Sequence, residues 1–302
     1  KCNYSLAHLI IEYYIRFMLF NKTYIDYNSV ILFVHIPKSG GSSVRENLKK
    51  YFKDDQILRI IEPSINHYYS NEINSKNKYE NKNSIKIWIK KFSLINKILE
   101  YRSYIKNPNP LLRDFYSLTT EEKQRLRFIS SNMERNCVPP ILGKHYLKLL
   151  IIRDPLSRIQ SYYFQAKTKN ESEKPYILAA NKYDINDFIK YLYDNRPYML
   201  SNPYSVCISG TEDFLTAKKI IDTEFFLAAP IEKIDDFLKV LVFKLFSKAD
   251  FSSKNNVSKI NPNKIIISDK LKQRILSSNQ ADINLKKHVE LEFGSIFNNL
   301  RF

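Results

Sequence analysis

The chain has 302 residues, 44% of them hydrophobic, with 48 Lys and Arg against 31 Asp and Glu. That length and apolar content suit one large packed domain or two small ones and exclude a disordered chain. The net charge of +17 points to a polyanionic partner (nucleic acid, an acidic membrane face, an anionic glycan or a phosphorylated cofactor) or to lysine-rich drift in a chain also rich in Asn, Ile and Tyr. The three cysteines, Cys2, Cys137 and Cys207, are scattered and lack CxxC spacing, which argues against a disulfide scaffold and a zinc site and leaves room for one bridge.

The first apolar stretch, HLIIEYYIRFMLF at 8–20, is too short to span a bilayer and is interrupted by Glu12 and Arg16. A packing or surface helix is expected there, and membrane association only through a segment upstream of residue 1. VILFVHI at 30–36 is continuous and β-branched, as in a strand buried on both faces of a parallel sheet. SSVRENLKKYF at 42–52 has helical spacing, with Val44, Leu48 and Tyr51 on one face, and QILRIIE at 56–62 reads as a second strand. Strand, loop, helix and strand in that order predict a βαβ unit and an α/β fold with a parallel sheet flanked by helices.

Residues 63–118 read as an irregular and helical insertion, with a polar loop at 70–84 and a basic amphipathic helix at 85–102. That helix either packs on the core or presents a face to an acceptor. Thr119 and Glu122 form a capping-box signature, so a helix is expected from there. LKLLIIRDP at 147–155 is another buried strand running into the helix LSRIQSYYFQA, with Asp154 fitting the N-cap and Pro155 the first helical position. A helix at 184–195, a strand–turn–helix at 225–246 and a helical tail from Ser268 complete the order. Without repeats or linkers, the chain reads as one domain over 1–302, with 1–29 as an N-terminal extension.

The chemistry concentrates in two loops. In HIPKSGGSS a strand, a glycine-rich turn and a helix start follow one another, a layout that aims backbone N–H groups and a helix dipole at one spot. Gly40 and Gly41 let the backbone approach an anion, Lys38 adds a mobile charge, and Ser42 and Ser43 add hydroxyl donors. A Walker A loop needs its lysine after the last glycine, whereas Lys38 precedes both. In RDPLSRIQSYY, Arg153 closes its strand at the edge where open α/β sheets bind ligands. Arg158 and Ser161 share a face of the following helix, and an arginine with a serine hydroxyl could hold a second phosphate. Alternatively, Arg158 pairs with Asp154 and the stretch is only a helix start.

Taken together, HIPKSGGSS and, about a hundred residues later, IIRDPLSRIQSYY resemble the sulfotransferase superfamily, and more narrowly its carbohydrate O-sulfotransferases. The resemblance implies a P-loop-like sulfotransferase fold and the co-substrate 3′-phosphoadenosine 5′-phosphosulfate (PAPS), released as 3′,5′-ADP (PAP). It implies that Lys38, Ser39, Gly40, Gly41, Ser42 and Ser43 wrap the 5′-phosphosulfate, and that Arg153 and Ser161 bind the 3′-phosphate. SNPYSVCISG at 201–210 is similar to a later family stretch, with Tyr204 and Val206 in place of the usual residues. APIEKIDDFLKVL at 229–241 and NVSK at 256–259 are fainter matches. The family usually carries its general base, a His, some twenty residues before the Arg-Asp-Pro, and here Asn132 stands in that place.

The expected function is sulfuryl transfer from PAPS to a carbohydrate hydroxyl, with an oligo- or polysaccharide acceptor, neutral or anionic, and with neither a metal nor a nucleic-acid partner. Lys38 is expected to stabilise charge on the leaving phosphate. Glu62, at the end of the presumed second strand and beside the phosphate loop's own strand, is the first choice of base, and His67 the second. His145 is expected at the far end of its strand, and His35 in a structural role. The alternatives are a catalytically dead sulfotransferase-like nucleotide or glycan binder and a P-loop nucleotide kinase. The composition and cysteine content favour a bacterial-type cytoplasmic enzyme over a Golgi luminal one.

Overall fold

The computed structural model describes residues 29–60, 112–131, 138–169, 174–246 and 266–299, the side chains of 113 and 246 excepted. Glu62, His67, Asn132, the stretches 8–20, 70–84 and 85–102 and the NVSK loop lie outside the described residues.

Five strands form one all-parallel sheet among them: β1 (Ser29–Val34), β2 (Ile57–Ile60), β3 (Phe128–Ser131), β4 (His145–Ile152) and β5 (Phe225–Pro230), in the order β2-β3-β1-β4-β5. The expected α/β class is thus the observed one. β1 runs between β3 and β4, with every residue buried. Val30, Leu32 and Val34 join the core on one face of the sheet, and Ile31 and Phe33 the core on the other. This is why the strand reads as an unbroken apolar run rather than an alternating one.

Helix α1 (Gly41–Leu48) follows β1 and buries Val44 and Leu48 beneath it; the chain then tightens into a 3₁₀ turn at Lys49–Tyr51. Next come α2 (Arg113–Ser117) and α3 (Thr120–Arg125). The capping box at α3 is present, with the Glu122 carboxylate accepting from the Thr119 amide and the Thr119 hydroxyl from the Glu122 amide. Helix α4 (Pro155–Lys167) follows β4 directly, capped by Asp154 with Pro155 first, as its sequence predicts.

Helices α5 (Pro175–Lys182) and α6 (Ile185–Asn195) pack on α4 in an aromatic-rich layer that also takes in α10 (Asp269–Ser277). Helices α7 (Pro203–Ser209), α8 (Phe214–Glu224) and the long α11 (Gln280–Asn299) cover one face of the sheet; α9 (Ile234–Phe246) backs β5 on the other. No described helix is long and apolar enough to cross a membrane.

One expectation about neighbours is corrected. The second strand does not lie beside β1: β3 stands between them, pairing Ile31 with Phe128 on one side and Ile57 with Phe128 on the other. β3 is only four residues long and half serine, yet all four are buried. β2 is therefore one strand further from the phosphate loop's strand than expected.

Candidate functional site at the carboxyl edge of the sheet

After β1 the chain connects toward β2 and β3; after β4 it connects toward β5 on the other side. The crevice between the carboxyl ends of β1 and β4 is thus the point where connections diverge, the place where open parallel sheets bind ligands. The two loops singled out by sequence leave from these two strand ends.

The first loop is held in an unusual backbone shape. Lys38 has φ 74 and Gly40 φ 79. Gly40 meets the second angle freely, but Lys38 carries a Cβ into the left-handed region, a cost of about 1–2 kcal/mol. The Lys38 carbonyl accepts a hydrogen bond from Arg153 Nη1 at 3.1 Å. The second loop therefore grips the strained residue of the first. Gly41 has a steric reason: a Cβ there would sit 2.1 Å from Nε2 of His35. The His35 ring, 9% exposed, stacks on Phe33 at 5.5 Å and fills the space under the loop.

Ser39 is wholly buried and turns inward, its hydroxyl donating to the Ile36 carbonyl at 2.5 Å. Ser43 is half-buried and Ser42 exposed at the start of α1. That start has no side-chain cap and no acidic residue in its first turn. By contrast, α4, α6 and α8 are capped by Asp154, Asp184 and Asp213. The first amide groups of α1 are left for another acceptor.

The electrostatics agree. Burial, then the neighbouring charges of Arg153 and Lys169, hold the Lys38 ammonium below its ordinary pKa. Arg153 is likewise pushed down by burial, partly offset by Tyr204, Glu232 and Asp154. Among the described residues neither cation has a carboxylate within ion-pair distance, and the buried Nε of Arg153 has no hydrogen-bond partner. Three cations with an orphaned guanidinium nitrogen and an uncapped helix start make a site for a multiply charged anion. Lys169 escapes sequence reasoning because it sits past the end of α4, and only the fold brings its charge near Lys38.

The other candidates separate. Ser161 is half-buried on α4, six residues beyond Pro155 and so about 9 Å along the axis. Arg158 does not share its role: it is buried, donates through Nη2 to the Met199 carbonyl at 2.5 Å, and sits near Tyr204 and Asp282. Nor does it pair with Asp154, whose carboxylate is taken by the Ser157 amide at the head of α4. His145 opens β4 opposite Ser29, with Nε2 2.7 Å from the Ser29 hydroxyl, at the amino edge as expected and away from the loops. Glu62 and His67 lie outside the described residues.

A residue noted in the sequence only as a departure proves central. Tyr204 on α7 is fully buried, and its hydroxyl accepts from the Arg153 amide at 2.9 Å, beside the buried Ser39 side chain.

No curated protein matches the chain. A protein-family model described as "Sulfotransferase family" matches residues 21–219, a span that holds both loops, β1 to β4 and Tyr204.

Proposed function

The chain belongs to the sulfotransferase family, and from that premise we propose that it transfers the sulfuryl group of PAPS to a hydroxyl of a carbohydrate acceptor. The observation that carries the reading is the grip of Arg153 on the Lys38 carbonyl, which joins two cationic loops at one crevice and leaves the Arg153 Nε without an acceptor among the described residues. A nucleotide with phosphates at both its 5′ and 3′ positions matches two adjoining cationic loops better than one with a single phosphate cluster does.

In this reading residues 38–43 hold the 5′-phosphosulfate and Arg153, with Ser161, holds the 3′-phosphate. The acceptor oxygen attacks sulfur in line, the bond from sulfur to the phosphate oxygen breaks, and 3′,5′-ADP leaves. Lys38 and the first amides of α1 stabilise the negative charge that grows on that phosphate oxygen. The acceptor's proton goes to a base, Glu62 first and His67 second. An acidic glycan is the acceptor that a chain of charge +17 would draw.

The test is thermal shift with 3′,5′-ADP against ATP–Mg²⁺, followed by transfer of radiolabelled sulfate from PAPS to a glycan pool. Stabilisation by the bisphosphate alone, with label entering glycan, is the expected result. Stabilisation by ATP–Mg²⁺ instead would favour a kinase. Bisphosphate binding without transfer to any glycan would leave a nucleotide-binding protein on the same scaffold. With an acceptor in hand, Glu62→Gln or His67→Ala should abolish turnover while 3′,5′-ADP still binds; near-wild-type turnover in both would remove them as bases.

A further inference from the structure

Tyr204 is held at both ends. Its ring lies in the core cluster with Val34, Ile36 and Ile152, the last residues of the chain before each loop. Its amide and that of Ser205 donate to the two oxygens of Asp282 at 3.0 and 2.8 Å, and the Ser205 hydroxyl adds a third bond at 2.8 Å. Asp282, itself 1% exposed, thus caps the start of α7 from α11, in the place a local Ser or Asp would usually fill. Asn202 completes the clamp, accepting from the Asp282 amide at 3.1 Å and donating to Glu212 at 2.9 Å.

The far end of Tyr204 reaches the sheet edge. The Ser39 side chain, whose proton goes to the Ile36 carbonyl, lies beside the Tyr204 hydroxyl. That hydroxyl meanwhile accepts from the Arg153 amide. The buried Tyr204 hydroxyl thus stands between the Arg153 amide of one loop, to which it is hydrogen-bonded, and the buried Ser39 side chain of the other. This contact joins the two anion loops beneath the surface.

We propose that Tyr204 is a positioning residue that fixes the separation of the two anion-binding loops, and that the Asp282 carboxylate fixes Tyr204. This deepens the sulfotransferase reading and rests on it for the identity of the ligand, though not for the tie itself. The hydroxyl is buried beneath the loops; it sets where Ser39 and Arg153 stand, and so how well one molecule can engage both loops together.

The test uses Tyr204→Phe, which keeps the ring in the core and removes only the bridge, with two readouts. The first is amide hydrogen exchange of the ligand-free protein: residues 35–41 and 153–158 should both exchange faster than in wild type, with β1 and β4 unchanged. The second is the ratio of 5′-AMP to 3′,5′-ADP dissociation constants. Loosening the spacing should cost the bisphosphate roughly tenfold, the worth of one good buried hydrogen bond, and cost the monophosphate little, so the ratio narrows. A purely structural tyrosine would lower stability and leave the ratio alone. Unchanged exchange in either segment, or an unchanged ratio where wild type discriminates, overturns the proposal. If wild type itself does not discriminate between the nucleotides, the bisphosphate reading falls, and the exchange result alone decides whether Tyr204 ties the loops. Should Tyr204→Phe fold poorly, Ser39→Ala removes the side chain on the other side of the Tyr204 hydroxyl and must loosen residues 153–158.

Discussion

The carboxyl edge of the sheet and the outer face formed by α8 and α11 carry the same kinds of charge and treat them oppositely. On the α8–α11 face Lys218 and Lys286 both find carboxylates. Asp222 takes His288 at 2.7 Å and Lys218 at 2.6 Å, Lys286 lies between Glu232 and Glu290, and Lys148 reaches Glu224 at 2.7 Å. At the sheet edge Lys38, Arg153 and Lys169 crowd together, and the carboxylates nearest Arg153 are occupied elsewhere: Asp154 on the cap of α4, Glu232 on Lys286. A net charge of +17 says only that cations are in excess. The fold says where the excess is left unneutralised, and that is where an anion is worth most.

The sharpest way to break the contrast is at its centre. Lys38→Ala should lower sulfuryl transfer by about 100-fold or more, as the loss of one transition-state donor does, and weaken 3′,5′-ADP binding much less. Steady-state rates from PAPS beside calorimetric binding of the product separate the two effects. Equal losses would make Lys38 an anchor, and no loss in either would end the assignment.

Arg153→Ala should come next. Loss of one charge-assisted contact corresponds to about 1.5–3 kcal/mol, or roughly 10- to 100-fold in 3′,5′-ADP affinity. Affinity for 5′-AMP should stay near wild type, and Ser161→Ala should follow the same pattern more weakly. If both variants treat the two nucleotides as wild type does, the stretch from Arg153 is a helix start and nothing more.

Proton linkage sharpens the comparison further. Lys38 in the folded protein sits below its ordinary value of 10.5, so between the lowered value and 10.5 the unfolded chain holds the extra proton. Its burial therefore weighs against the ligand-free fold at neutral pH, and that cost fades as pH rises through the window. Nucleotide binding has the opposite slope: affinity for 3′,5′-ADP should fall in the same window as Lys38 loses its charge. The fall should vanish in Lys38→Ala; a limb that persists there belongs to another group.

The smallest effects concern stability. Lys38→Gly should melt above Lys38→Ala by the equivalent of about 1 kcal/mol, because only glycine meets φ 74 without strain. On the paired face, Asp222→Asn should cost about 1 kcal/mol or less and leave nucleotide affinity untouched. A change in affinity there would mean that the two regions are not separate.

Much of this was readable beforehand, and the reason is local. β1 and β4 announce themselves because a doubly buried parallel strand must be apolar throughout, and α4 because Asp154 and Pro155 cap it from within the sequence. β3 was harder, since two of its four residues are the buried serines Ser130 and Ser131, so no apolar run marks it. That hidden strand is what displaced the expected neighbour of β1. Arg158 looked like a ligand from its helical spacing, but spacing does not say which way a long side chain turns. Tyr204 could be read only as an oddity, because its meaning lies in partners 51 and 78 residues away.

The reach of Asp282 sets an order of events during synthesis. The ribosome delivers residues 35–43 first and Arg153 next, so both anion loops exist as chain long before they can be held in register. Tyr204 follows, but the start of α7 stays uncapped until the carboxylate 77 positions after Ser205 has emerged and docked. Such late, long-range closures are slow and leave early segments waiting. A nascent chain arrested before residue 282 would carry the loops that recognise an anion and lack the strut that spaces them. Competence to bind is therefore acquired only when α11 arrives.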